Sequence, residues 1–125
     1  MRPESPIRTP NALAESGDQE RDARRRQYVA ELLRLYVGTP GVAGRVRRAD
    51  RDFAAQLFDQ SVPLYVVENA FVVAAARRVR HNAFSTPLPA IRTLWYFREV
   101  IREMLDRPLG SRDIEQLRED LRRQG

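Results

Sequence analysis

Residues 64–80 read LYVVENAFVVAAARRVR. Apolar side chains stand at Val66, Val67, Ala70, Phe71, Val73 and Ala74. On a helix they cover most of the circumference rather than one stripe. A helix of that kind is buried on several sides, so this segment predicts the centre of an all-α domain. Ser61 is the expected N-cap, Pro63 is tolerated in the first turn, and the helix should reach Arg80. Arg77, Arg78, Arg80 and His81 crowd its C-terminal end, where the helix dipole favours cations.

Working outward, Phe53, Ala54, Leu57 and Phe58 share one face of a helix expected over Asp50–Gln60. Asp50 and Asp52 sit in its first turn, where negative charge is favoured. On the other side, Pro87 and Pro89 make residues 82–89 extended. A helix from Ala90 to Asp106 follows, with Ile91, Leu94, Trp95, Phe97, Ile101, Met104 and Leu105 on a wide apolar face. Tyr28, Val29, Leu32, Leu33 and Tyr36 mark a first helix from Asp18 to Val37, ended by Gly38 and Pro40. Residues 38–48 form a loop. A last helix begins at Ser111 and carries a narrow stripe, Ile114, Leu117 and Leu121. Residues 1–17 hold Pro3, Pro6, Pro10 and Gly17 among few apolar side chains, and read as a disordered tail. The expectation is one domain over residues 18–125, a five-helix, bundle-like all-α fold.

Composition agrees with one modest core: 125 residues, 42% hydrophobic. There is no cysteine, which excludes disulfides, thiolate metal sites and cysteine nucleophiles. No run approaches the roughly 18 apolar residues of a membrane span, and the first residues lack an apolar signal segment. The chain is read as soluble and cytoplasmic.

Net charge is +5, and every cationic residue is arginine. A GC-rich coding sequence explains this; so does selection for bidentate contacts to phosphate or carboxylate. Composition does not separate the two. The charge is unevenly placed, because residues 23–48 carry seven arginines against Glu31 alone. Attraction to a polyanion should centre there.

Little else in the chain suggests chemistry. His81 is the only histidine, so it lacks metal-ligand partners and reads as a helix-end surface residue. Asp50 and Asp52 are two apart and point to different sides of a helix; capping and solvation account for them and for Asp59. The loop Gly38–Gly44 follows a helix rather than a strand. Its glycines are three apart and the chain has no lysine, so it is not a nucleotide-binding P-loop. No catalytic residue, metal or cofactor is expected. Phe53–Ala70 has the outline of a helix-turn-helix, but its second helix opens with Pro63, Leu64 and Tyr65 rather than polar base readers.

Two features remain. Arg24, Arg25 and Arg26, together with Arg45, Arg47 and Arg48, form basic clusters suited to phosphates, with Arg77, Arg78 and Arg80 in support. A solvated basic surface explains them equally. Trp95, Tyr96 and Phe97 are consecutive and about 100° apart on a helix, so one, Tyr96, should be partly exposed. It is either a rim residue of the core or a stacking platform for bases.

From Leu57 to Met104 the chain resembles the helical C-terminal domains of the DnaD family of bacterial and phage primosome proteins. The Leu57–Val62 turn leads into Val66–Val67 and Ala70; a basic stretch and then Ile91, Leu94, Tyr96, Phe97 and Ile101 follow. Gln60–Ser61 stand where that family has a glycine before its central helix. The tract Pro89–Phe97 is also similar to bacterial proteins associated with mobile elements. The resemblance implies a helical, non-catalytic module that binds nucleic acid in replication or maintenance of a mobile element. The alternative reading is a protein–protein adaptor or self-associating domain that pairs through Ile114, Leu117 and Leu121.

Overall fold

The helix around Phe71 is the axis of the fold. The computed structural model describes the backbone of residues 4–124 and the side chains of residues 17–124. Among them are five α-helices: α1 (Glu4–Val37), α2 (Arg48–Asp59), α3 (Leu64–Phe84), α4 (Arg98–Asp106) and α5 (Ser111–Gln124), with a 3-10 segment, Leu94–Phe97, leading into α4. The tail expected over residues 1–17 lies, apart from Gly17, outside the residues whose side chains are described. α1 is drawn from Glu4 rather than from the expected Asp18.

α3 packs against α1, α4, α5 and the 3-10 segment, while α2 lies on α1 and on the 3-10 segment. Val66, Val67, Ala70, Phe71, Val73 and Ala74 are all buried, as their all-round apolar pattern requires. Tyr36, Phe71 and Phe97 form the aromatic centre, with Phe71 and Phe97 ring centroids 4.7 Å apart and Tyr36 6.1 Å from Phe97. No helix among the described residues is long and apolar enough to cross a membrane.

Besides the start of α1, and that of α2 at Arg48 rather than the expected Asp50, three boundaries differ from expectation, each for a visible reason. Ser61 does not cap α3; it ends α2. Its φ is +60°, and its N–H donates to the Phe58 carbonyl while the Val62 N–H donates to that of Leu57. That pair of bonds is a Schellman motif, and buried Val62 supplies its hydrophobic contact. α3 runs on to Phe84, four residues past Arg80, before Pro87 and Pro89 impose extended backbone. The fourth helix does not begin at Ala90. The Ile91 N–H and carbonyl are committed to the loop after α1, as described below, so helical bonds start only at Leu94.

The 3-10 geometry decides which aromatics face water. Residues three apart eclipse on such a helix, so Leu94 and Phe97 both point inward and are 0% exposed. Trp95 and Tyr96 are left outside, 50% and 44% exposed. Tyr96 is thus partly exposed, but Trp95 more so.

Candidate nucleic-acid interface

Two backbone bonds press the α1–α2 loop onto the segment after α3. The Ile91 N–H donates to the Gly41 carbonyl at 2.8 Å, and the Ala43 N–H donates to the Ile91 carbonyl at 2.9 Å, closing a parallel bridge between Val42 and Ile91. Gly41 and Gly44 take φ of +96° and +88°, conformations that side chains resist. A Cβ on Gly41 would stand 2.9 Å from Nε of Arg78, and one on Gly44 would stand 3.8 Å from Nη1 of Arg92. Arg92 therefore lies beside the turn that carries Arg45.

Asp50 makes the second tie. Its Oδ2 accepts the Arg47 N–H at 2.9 Å, which caps α2, and its Oδ1 accepts the Leu94 N–H at 2.9 Å and the Thr93 hydroxyl at 3.4 Å. The side chain is buried, 2% exposed, so the solvation expected of it does not apply. A carboxylate is stable there because backbone donors surround it. Burial, and secondarily the Asp50 charge, hold the Tyr36 phenol above its ordinary pKa.

These ties bring the start of α2 against the 3-10 segment. Phe53 and Trp95 meet edge to face with centroids 4.9 Å apart. The Arg98 guanidinium lies 4.5 Å over the Trp95 ring. Arg45, Arg47, Arg48 and Arg92 are exposed on this end of the molecule, and none makes an ion pair among the described residues; Arg51 is exposed too, but it lines the groove between α1 and α2 with Asp22, Arg26 and Asp52. Arg98 also pairs with Glu99 at 3.1 Å.

The other expected arginines meet different fates. Arg25 forms two hydrogen bonds with Asp59, 2.9 and 2.8 Å, and Arg21 adds a third contact at 3.5 Å. The Arg25 hydrogen bonds hold the Asp59 carboxyl below its ordinary pKa. Arg24 and Arg26 remain exposed on α1. Arg77 is clamped to Glu103 of α4 by bonds of 2.9 and 2.6 Å, which lower the Glu103 pKa. Arg78 is buried and does not belong to the exposed arginine surface. Arg80 lines a groove with Phe84 and Leu117, on the side of α3 that meets α5.

The fold therefore does not merge all nine arginines. It keeps Arg45, Arg47 and Arg48 on one exposed turn, and adds Arg92, Trp95 and Arg98, which sequence reasoning did not select. Nothing in the pattern marks Arg92 until Ile91 is known to pair with Val42. Among the described residues no group of three or more His, Cys, Asp or Glu is arranged to hold a metal.

No protein-family model, curated protein or solved structure matches this chain.

Proposed function

We propose that this chain is a non-catalytic helical module that binds nucleic acid through the phosphate backbone, with Arg45, Arg47, Arg48 and Arg92 as the contacting cations. The observation that carries the reading is that the Val42–Ile91 bridge and the Asp50 tie bring the Arg45–Arg48 turn beside Arg92 and the start of the 3-10 segment, where these arginines have no carboxylate partner among the described residues. Each neutralised phosphate releases counterions, which drives binding. Half-exposed Trp95, with the Arg98 guanidinium over its ring, offers an unpaired base an aromatic and cationic contact, so single strands are the favoured target. Tyr96 is less suited to stacking, because its hydroxyl accepts from Arg78 and its ring stands edge-on to Phe97. The resemblance to DnaD domains points the same way, toward replication or maintenance of a mobile element.

A gel-shift series with single- and double-stranded DNA at two salt concentrations tests the reading. Binding should weaken steeply with salt and show little sequence preference. Absence of a shift at low salt ends it.

One observation favours the adaptor alternative. Leu117 and Leu121 of α5 are only half-buried, and with Phe84, 85% exposed, they border an open groove of about 550 Å³. Light scattering decides between the readings: a tight oligomer indifferent to DNA supports this one.

A further inference from the structure

Arg78 is the only buried arginine among the described residues, 8% exposed, and it has no carboxylate partner there. Its Nη2 donates to the Pro89 carbonyl at 2.7 Å and its Nη1 to the Tyr96 hydroxyl at 3.2 Å. Its Nε is turned toward Gly41. A guanidinium has five N–H groups, so three of them lack an acceptor among the described residues. The Tyr96 ring, its centroid 5.6 Å from the Arg78 guanidinium carbon, adds a cation–π contact, but no anion among the described residues answers the charge.

There is room for an anion. Arg78 lines an open pocket of about 320 Å³, shared with Arg77, His81, Leu88, Tyr96 and Val100, and no carboxylate lines it. His81 follows Arg78 by three residues and so shares its face of α3. It makes no hydrogen bond among the described residues. Because the Tyr96 oxygen accepts from Arg78, its own proton remains to donate. Donors thus stand on two sides, α3 and the 3-10 segment.

We propose that this pocket binds a phosphate group. The Arg78 fork is already divided between Pro89 and Tyr96, which breaks the planar two-point match that favours a carboxylate. A tetrahedral oxyanion accepts from several directions and fits donors so placed. The phosphate belongs either to a free small compound or to the end of a nucleic-acid strand. The pocket is independent of the arginine surface proposed above.

The test is an amide-shift titration of the full ¹⁵N-labelled chain with inorganic phosphate, referenced to chloride at equal ionic strength. Saturable shifts at Ala74, Arg78, His81 and Tyr96 are expected. Tyr96→Phe keeps the ring and should weaken phosphate binding roughly tenfold, the effect of one hydrogen bond to a charged group; His81→Ala should weaken it severalfold. Arg78→Met should abolish it, and if that variant fails to fold the other two decide. A 5′-phosphorylated oligothymidylate bound more tightly than its 5′-hydroxyl form, with the difference lost in Tyr96→Phe, identifies a strand end as the source; equal binding alongside the inorganic phosphate response identifies a free compound. Shifts no larger than with chloride, or a Tyr96→Phe variant that responds like the parent, overturn the site. Either failure leaves salt-dependent DNA binding through Arg45–Arg48 untouched.

Discussion

Arg45, Arg47 and Arg48 lie within four residues where the loop after α1 runs into α2; Arg77, Arg78 and Arg80 lie within four residues inside α3. The two trios have the same composition and opposite fates. Successive residues of a helix rotate by about 100°, so α3 sends its three guanidinium groups to three neighbours. Arg77 meets Glu103, Arg78 passes beneath Gly41 and Pro89, and Arg80 faces the α5 groove. Of the loop trio only Arg48 is helical, so the three are not wound about one packed axis, and all stay exposed. A run of arginines in a sequence becomes a cationic surface only where the backbone does not distribute it.

If that contrast is right, the loop trio depends on what positions the loop. Asp50→Ala removes the acceptor of the Arg47 and Leu94 N–H groups, leaving buried donors unsatisfied. It should destabilise the fold by about 2–3 kcal/mol in urea unfolding, and weaken DNA binding besides. A loss below about 0.5 kcal/mol, the range of ordinary surface substitutions, would mean that the tie does not position the loop.

The turn after α2 provides a control at a loop with no proposed contact. Ser61 holds φ +60°, a conformation that a side chain resists and glycine does not. Ser61→Gly should stabilise the protein by roughly 0.5–1 kcal/mol and leave DNA affinity unchanged. A change in affinity would show that the interface extends beyond the loop trio.

The smallest effect concerns the arginines that pair with carboxylates. The native pKa of Asp59 is depressed by Arg25, and that of Glu103 by Arg77. Stability from such groups is present above their unfolded pKa values, about 3.9 for Asp and 4.3 for Glu, and is lost as pH falls through the native values. The double variant Asp59→Asn/Glu103→Gln should therefore show a flatter loss of Tm below about pH 4. Neutralising Arg45, Arg47 and Arg48 should leave that acid arm unaltered, since they have no carboxylate partner among the described residues.

Much of this fold was legible in the sequence because periodicity reports burial directly. The all-round apolar pattern of α3 placed it at the centre, and Gly38 with Pro40 marked the end of α1. What escaped were features created by long-range contacts. Ile91 reads as part of a helix until Gly41 and Ala43 claim its backbone. Trp95 reads as core until 3-10 winding turns it outward. Asp50 reads as an exposed cap until Leu94 closes over it. The site was legible only in part for the same reason: its loop half is contiguous in the chain, while Arg92, Trp95 and Arg98 join it through the Val42–Ile91 bridge.

The most direct test is the salt dependence of DNA affinity for two triple variants of equal charge, read by fluorescence anisotropy. In Arg45→Ser/Arg47→Ser/Arg48→Ser, the slope of log K against log salt should fall by about 2 to 3, at roughly 0.7–0.9 per phosphate contact. In Arg24→Ser/Arg80→Ser/Arg107→Ser, the last of these exposed just past the end of α4, it should change by less than about 1. Equal losses in both, or an unchanged slope in the loop variant, would contradict the assignment of binding to the loop.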